Sequence, residues 1–220
     1  MTFYQRPNWR LSRLAAAILI IVAYSPRAHS ENPVNSSRFF LGNKSNITGS
    51  GPDTRPNHTS GVVTVCTSWD GSALDIATRA EEIASRMFAN IGVLLAWRGS
   101  GNDCPTEAII VNLTTRTPHG LRPNALAYAL PHGASYVRVF LDRIHELSVT
   151  CPSLERPLLA HVLAHEITHI LQGTDGHSDR GVMKARWDQN DYYQMRSGGL
   201  AFTPEDVRLI RSSIARQAAQ

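Results

Sequence analysis

The sequence predicts a single α+β domain that follows an N-terminal export signal. The chain has 220 residues, of which 42% are hydrophobic, and this is enough for one medium-sized domain with its own core. Two composition changes, near residues 30 and 60, separate a leader and a polar stretch from the rest. Strand-like and helix-like segments then alternate, which indicates a mixed sheet combined with a long central helix and a C-terminal helix.

Residues 1–30 have the layout of a secretory signal peptide. Three basic residues, Arg6, Arg10 and Arg13, precede the apolar stretch 14–24, and small residues lead up to Ser30. Eleven apolar residues are too few to span a bilayer comfortably, so an uncleaved anchor is the less favoured alternative. We therefore expect cleavage after Ser30, a secreted or periplasmic location, and no stable membrane insertion after signal cleavage.

The positive charge of the chain belongs to this leader. The full sequence has 22 Lys and Arg against 18 Asp and Glu, a formal net charge of +4. The leader contains four arginines and no acidic residue, so the processed chain has 18 side chains of each sign. Without clustered positive charge, nucleic acid is not expected as a partner.

Residues 31–60 are rich in Asn, Ser, Thr, Gly and Pro, and they are predicted to be a disordered linker or a pro-segment. The folded domain is predicted to comprise residues 61–220. A strand, a helix and a second strand at its start imply a parallel crossover connection. In order, strands are predicted at 62–66, 93–97, 108–113, 125–130 and 136–140, and helices at 72–90, 142–147, 153–172 and 203–217.

Residues typical of helix starts and helix ends support the central helix and the final helix. Ser153 can cap the start of the central helix, and Gly173 is its natural end. Thr203 followed by Pro204 and two acidic residues is a typical helix start for the final helix.

Three cysteines, Cys66, Cys104 and Cys151, allow one intramolecular disulfide in an oxidising compartment. The pairing cannot be decided from the sequence. Because Cys66 follows an apolar strand and could simply be buried, Cys104 with Cys151 is the favoured pair.

The central helix contains the pattern H-E-x-x-H, formed by His165, Glu166 and His169. Residues four apart lie on one helical face, so both imidazoles can point at a single ion, with Glu166 about 100° further round the axis. Catalytic zinc takes three protein ligands and keeps one position for water, whose proton Glu166 could accept. After the helix-ending Gly173, His177 is the candidate third ligand, and Asp175 is the alternative.

With Gly173, His177 and Met183, this motif resembles the metzincin branch of the zincin-like metallopeptidases, and it is also similar to small secreted bacterial zincin-type proteins of unassigned substrate. The glycine comes one residue later, and the third histidine two residues later, than in the usual metzincin pattern. The resemblance implies a zincin-like catalytic domain with a mixed sheet, an active-site helix and a C-terminal helix. It also implies that Met183 forms an apolar floor beneath the ligands. The metzincin spacing places a ligand at position 175, which makes Asp175 the alternative, but imidazole suits zinc at least as well as carboxylate and the loop can bring residue 177 round, so His177 is the favoured third ligand.

The resulting expectation is a zinc-dependent endopeptidase with one catalytic Zn²⁺ bound by His165, His169 and His177. A zinc-bound water, with Glu166 as general base, would attack a peptide or protein substrate. The strand at 125–130 could pair with that substrate as an edge strand or could be buried within the sheet. His161, one turn before the motif, is expected to be hydrogen-bonded packing and not a ligand.

Two other functions stay open at this point. One is a non-catalytic zincin-like module that keeps zinc for stability, and the other is a zinc amidase acting on cell-wall or other non-protein amides. The natural substrate, the cleavage specificity and the oligomeric state cannot be read from the sequence.

Overall fold

The computed structural model describes residues 18–21, 61–70, 73–99, 103–131 and 135–219 of the chain. The predicted linker 31–60, and the predicted leader apart from residues 18–21, lie outside this range. The strands are β1 Ile18–Ile21, β2 Gly61–Trp69, β3 Val93–Gly99, β4 Ile109–Thr114, β5 Ala125–Leu130 and β6 Tyr136–Phe140. The helices are α1 Leu74–Ala89, α2 Leu141–Ser148, α3 Glu155–Gln172, α4 Gln189–Ser197 and α5 Pro204–Gln217, with a 3₁₀ turn at Pro152–Leu154 before α3.

The six strands form one mixed sheet in the order β1-β5-β6-β4-β2-β3. The β2–β3, β2–β4 and β4–β6 pairs are parallel, whereas β5 runs antiparallel to β6 and to β1. The predicted parallel connection from β2 through α1 to β3 is therefore confirmed, as is the α+β class with a mixed sheet, a central helix and a C-terminal helix. Within residues 61–219, β5 and β3 are the two edge strands of the sheet.

The core lies between this sheet and the helices. Along β4, buried and half-buried side chains alternate, as expected for a sheet with one covered face. Helix α3 is different, because every residue from Leu158 to Leu171 is buried. Helices α1, α2, α4 and α5 and strands β5 and β6 all contact α3, so this helix forms the centre of the domain.

Most predicted elements are found within two residues of their predicted ends, but two expectations are wrong and one helix was not predicted. Ser153 does not cap α3, because it lies in the preceding 3₁₀ turn. The N-cap position of α3 is occupied by Leu154, whose side chain cannot accept a hydrogen bond. The disulfide joins Cys66 to Cys104 and leaves Cys151 as a free thiol. Helix α4 was not expected at all.

Both of the last two differences have a physical reason. Cys66 is fully buried on β2, and the loop that follows β3 brings Cys104 to within 6.2 Å of it, measured between Cα atoms. Helix α4 begins with a reciprocal capping box, in which the side chains of Asp188 and Asp191 each accept the backbone N–H of the other.

Within the described residues, no helix is both long enough and apolar enough to cross a membrane.

Candidate metal centre

The last two turns of α3 carry the motif that the sequence singles out. His165 and His169 lie one turn apart in the buried part of the helix. The helix ends at Gly173, which adopts a left-handed conformation with φ of 63° and donates its N–H to the carbonyl of His169 at 2.9 Å. This confirms Gly173 as the predicted end, and it turns the chain back toward the motif.

Three imidazoles converge at this end of the helix. One ligand atom from each of His165, His169 and His177 lies within 4.8 Å of the other two. The ring centroids are 4.6 Å apart for His165 and His169, 5.3 Å for His165 and His177, and 4.9 Å for His169 and His177. Among the described residues, Asp175 is not part of this cluster.

Hydrogen bonds fix the orientation of the two helical rings. The Nδ1 atom of His165 lies 2.8 Å from the carbonyl oxygen of Val182, and that of His169 lies 3.0 Å from the carbonyl oxygen of Thr174. A carbonyl can only accept, so each Nδ1 carries a proton and donates it. In a neutral ring the other nitrogen, Nε2, is then an unprotonated acceptor.

The two Nε2 atoms face one another across 2.9 Å. With both rings neutral and both Nδ1 atoms protonated, no hydrogen lies between them, so this contact joins two lone pairs. Such an arrangement is repulsive unless a cation is shared between the nitrogens. The donor set therefore fits a zinc ion, which prefers neutral imidazole nitrogen and takes three protein ligands in catalytic sites.

Burial keeps these rings in the neutral form that can bind a metal. Burial, and then the neighbouring His169 ring, hold the pKa of His165 well below 6.5. Burial, followed by the His177 ring, lowers the pKa of His169 to about 4. Burial also lowers the pKa of the more exposed His177, although the negative charge of Asp175 opposes this shift.

The carboxyl group of Glu166 is the other unusual feature of the helix. Its side chain is fully buried, and neither oxygen has a hydrogen-bond partner among the described residues. Burial raises the pKa of Glu166 well above 4.5. A carboxyl group in this environment keeps its proton unless a nearby positive charge offsets the cost of burying the carboxylate.

The segment after His177 folds back on itself and contacts His165. The backbone N–H of Ser178 donates to the carbonyl of Met183 at 2.8 Å, and the carbonyl of the preceding Val182 orients His165. Met183 and Trp187 are fully buried. The Trp187 ring stands edge-on to His165 with centroids 5.6 Å apart, so it restricts that ligand from the side.

His161 does not belong to the cluster, as predicted. It is buried, its Nδ1 donates to the carbonyl of Pro157 at 2.7 Å, and its Nε2 accepts the backbone N–H of Leu200 at 2.9 Å. Both ring nitrogens are thus engaged, and the interpretation of this histidine as hydrogen-bonded packing is confirmed.

A cleft of 650 Å³ lies beside His177. Its walls are the segment 177–180 and the start of α5 at 203–205, so His177 forms part of its lining. Sequence reasoning did not identify this neighbour of His177, because residues 203–205 are brought to the cleft only by the folding of the C-terminal segment.

An α+β domain with a buried H-E-x-x-H helix and a third histidine beside it is thus the class that fold and site define. The chain is similar to the crystal structure of archaemetzincin from Methanopyrus kandleri, with 16% sequence identity, a TM-score of 0.48, and coverage of 72% of this chain and 98% of that chain. No protein-family model and no curated protein matches the sequence.

Proposed function

We propose that this protein is a zinc-dependent endopeptidase that acts outside the cytoplasm. The observation that supports this best is the convergence of three imidazole donors within 4.8 Å, two of them on a helix that also carries the buried and unpartnered carboxyl group of Glu166. His165, His169 and His177 would hold one zinc ion. Zinc in such a site supplies a Lewis acid, which acidifies water and polarises a carbonyl group.

Glu166 would perform the proton transfers. It accepts the proton of the attacking water and delivers that proton to the amide nitrogen as the C–N bond breaks, so the carboxylate is regenerated. Burial disfavours the charged form of Glu166, and the positive charge of a bound ion would offset this effect, so that the carboxylate could accept the proton.

An extended peptide is the substrate class that the sheet favours. In the full chain the outer edge of β5 pairs with an antiparallel strand, β1, through the register Ile18 to Ala129 and Leu19 to Tyr128. If the predicted cleavage after Ser30 removes β1, this edge becomes available to the main chain of a peptide. The proposal therefore assigns β5 the role of substrate-binding edge.

The disulfide supports the proposed secreted or periplasmic location. Cys66 and Cys104 are joined in the structure, and structural disulfides persist mainly in oxidising compartments. A processed chain with equal numbers of acidic and basic side chains also fits a partner that is a peptide and not a nucleic acid.

Zinc content and peptide hydrolysis test the proposal together. Protein that is expressed with its leader and purified after the leader has been removed should contain about one zinc ion and should cleave casein. Glu166→Gln should retain the zinc and lose at least about 100-fold in activity, the usual scale for loss of a general base. Full activity of Glu166→Gln would overturn the mechanism.

The third ligand is tested by a matched pair of variants. His177→Ala should lose zinc, whereas Asp175→Ala, two residues away on the same turn, should retain it. The reverse result would transfer the role to Asp175. Cleavage of cell-wall material without cleavage of casein would instead identify an amidase, and zinc binding without any hydrolysis would identify a non-catalytic module.

A further inference from the structure

In the part of the chain that the structure describes, the ring of the third histidine, His177, lacks the hydrogen bond to a backbone carbonyl that orients the other two rings. His165 and His169 each donate Nδ1–H to a backbone carbonyl, but within the described residues the His177 ring makes no hydrogen bond. His177 also lies on a loop and is exposed, while the other two rings are buried in α3. Its position must therefore be set through the backbone that carries it.

The next residue, Ser178, is held from two sides. Its backbone N–H donates to the carbonyl of Met183 at 2.8 Å, and its hydroxyl donates to Oδ1 of Asp206 at 2.7 Å. Asp206 lies 28 residues further along the chain, in the first turn of α5. The bond therefore ties the loop that carries His177 to a separate helix.

Asp206 is itself tightly fixed. Its side chain is 3% exposed, and its second oxygen, Oδ2, accepts the backbone N–H of Thr203 at 2.9 Å and the Thr203 hydroxyl at 2.7 Å. Within the described residues it forms no ion pair. The two carboxylate oxygens therefore have different partners: Oδ2 accepts hydrogen bonds from Thr203 at the start of α5, and Oδ1 accepts the hydroxyl of Ser178.

A second contact docks the same loop on the segment before α5. The N–H of Val182 donates to the carbonyl of Ala201 at 3.1 Å. The neighbouring Gly181 has a φ of +77°, and an added Cβ would come within 2.2 Å of that carbonyl oxygen. The loop thus approaches the C-terminal segment too closely for any other residue at this position.

We infer that Asp206 is a positioning residue for the metal centre, which places His177 for metal binding through the hydroxyl of Ser178. This inference rests on the proposed function, since it assumes that the three histidines bind zinc. It adds a component from α5, outside the motif: the cap of the C-terminal helix also sets the geometry of the third ligand.

Two hydroxyl groups on the same carboxylate provide a matched comparison. Ser178→Ala removes the bond to Oδ1, and Thr203→Ala removes a bond to Oδ2. We would measure zinc and cobalt dissociation constants by chelator competition on the purified full-length chain, and thermal unfolding of the metal-free forms. Cobalt absorption reports the number of ligands separately from activity.

Ser178→Ala should weaken metal binding by at least about tenfold, the lower end of the range for residues that orient metal ligands. Its cobalt absorption should fall, because His177 no longer stays in coordinating range. Ser178→Thr keeps the hydroxyl and should bind within about twofold of the wild type. Thr203→Ala should lower the unfolding temperature by disturbing the cap of α5, yet should also bind metal within about twofold.

The inference is overturned if Ser178→Ala binds metal as tightly as the wild type, or if Thr203→Ala weakens binding as much as Ser178→Ala does. Either result would give Asp206 a purely structural role while leaving the zinc site itself intact. A wild-type protein that binds no zinc would refute the proposed function, and the positioning role with it.

Discussion

Replacement of His161 by Gln should reduce the acid sensitivity of the fold. His161 is completely buried, and its two nitrogens connect the carbonyl of Pro157 to the N–H of Leu200. Protonation would turn the accepting Nε2 into a donor facing another donor. Burial accordingly lowers the pKa of His161 from 6.5 to about 4.

The sign of the effect follows from these two values. Between pH 6.5 and about 4, the unfolded chain binds a proton at His161 and the folded chain does not. The free energy of unfolding therefore falls as the pH drops through this range. The loss relative to neutral pH amounts to roughly 2 kcal/mol at pH 5 and approaches about 3 kcal/mol near pH 4.

Urea unfolding of the wild type and His161→Gln, from pH 7 to pH 4.5 with a chelator present, measures this contribution. Gln offers a donor and an acceptor but does not titrate, and both proteins share all other titrating groups. The wild type should lose roughly 2 kcal/mol more than the variant between pH 7 and pH 5. A constant difference in stability at all pH values would refute the assignment of a buried neutral His161.

Three further changes should destabilise the fold through separate mechanisms, each measured by urea or thermal unfolding. Gly181→Ala combines a positive φ with a clash against a backbone carbonyl, and it should cost at least about 1 kcal/mol. Lys184→Met removes the ammonium group that lies 2.6 Å from the largely buried Asp191, at a cost of about 1–3 kcal/mol. Replacement of both Cys66 and Cys104 by Ala opens a loop spanning 38 residues, and loop entropy predicts a loss of roughly 4 kcal/mol.

Each change has a control in the same chain. Gly198→Ala places its Cβ in open space and should be close to neutral. Arg208→Met breaks an ion pair whose partners are both more than 60% exposed, and it should cost less than about 1 kcal/mol. Cys151→Ala should leave the disulfide and most of the stability unchanged. If the control substitutions lower the free energy of unfolding as much as the substitutions they accompany, the mechanisms named here are wrong.

The fold could be predicted largely because local signals and global topology agree. Apolar segments such as 125–130 and 136–140 match β5 and β6 residue for residue. The capping pattern at Thr203 correctly marks the start of α5. By contrast, α4 has little apolar periodicity, and its one signal is the acidic pair Asp188 and Asp191, spaced as a capping box.

The disulfide and the surroundings of the site could not be predicted in this way. Pairing of Cys66 with Cys104 depends on the path of the loop after β3, which no local pattern encodes. The helical spacing of His165 and His169 fixes their relation, but the approach of His177 depends on loop conformation. The structure brings the three rings together, while zinc binding and the role of Glu166 stay predictions.

The composition of α3 itself links stability to function. A helix buried on all sides should be apolar, yet its buried stretch contains three histidines, a glutamate and a threonine. Several of these polar groups are satisfied locally: the Thr168 hydroxyl donates to the carbonyl of Ala164 at 2.7 Å, and each Nδ1 atom donates to a carbonyl.

The groups left without a satisfactory partner are the facing Nε2 atoms of His165 and His169 and both oxygens of Glu166. Each unsatisfied buried polar group costs about 1–3 kcal/mol. All of them belong to the five-residue motif, whereas Thr168 in the same motif is satisfied within its own helix. Poor packing of α3 in general would leave polar atoms unsatisfied along the whole helix and not only in the motif. A cation shared by His165 and His169 would remove the repulsion between their Nε2 atoms. A cation near Glu166, the residue that follows His165, would also favour the charged form of its carboxyl group. Because metal binding would then act on the same groups that destabilise the metal-free core, ligand affinity and fold stability should be coupled at this helix.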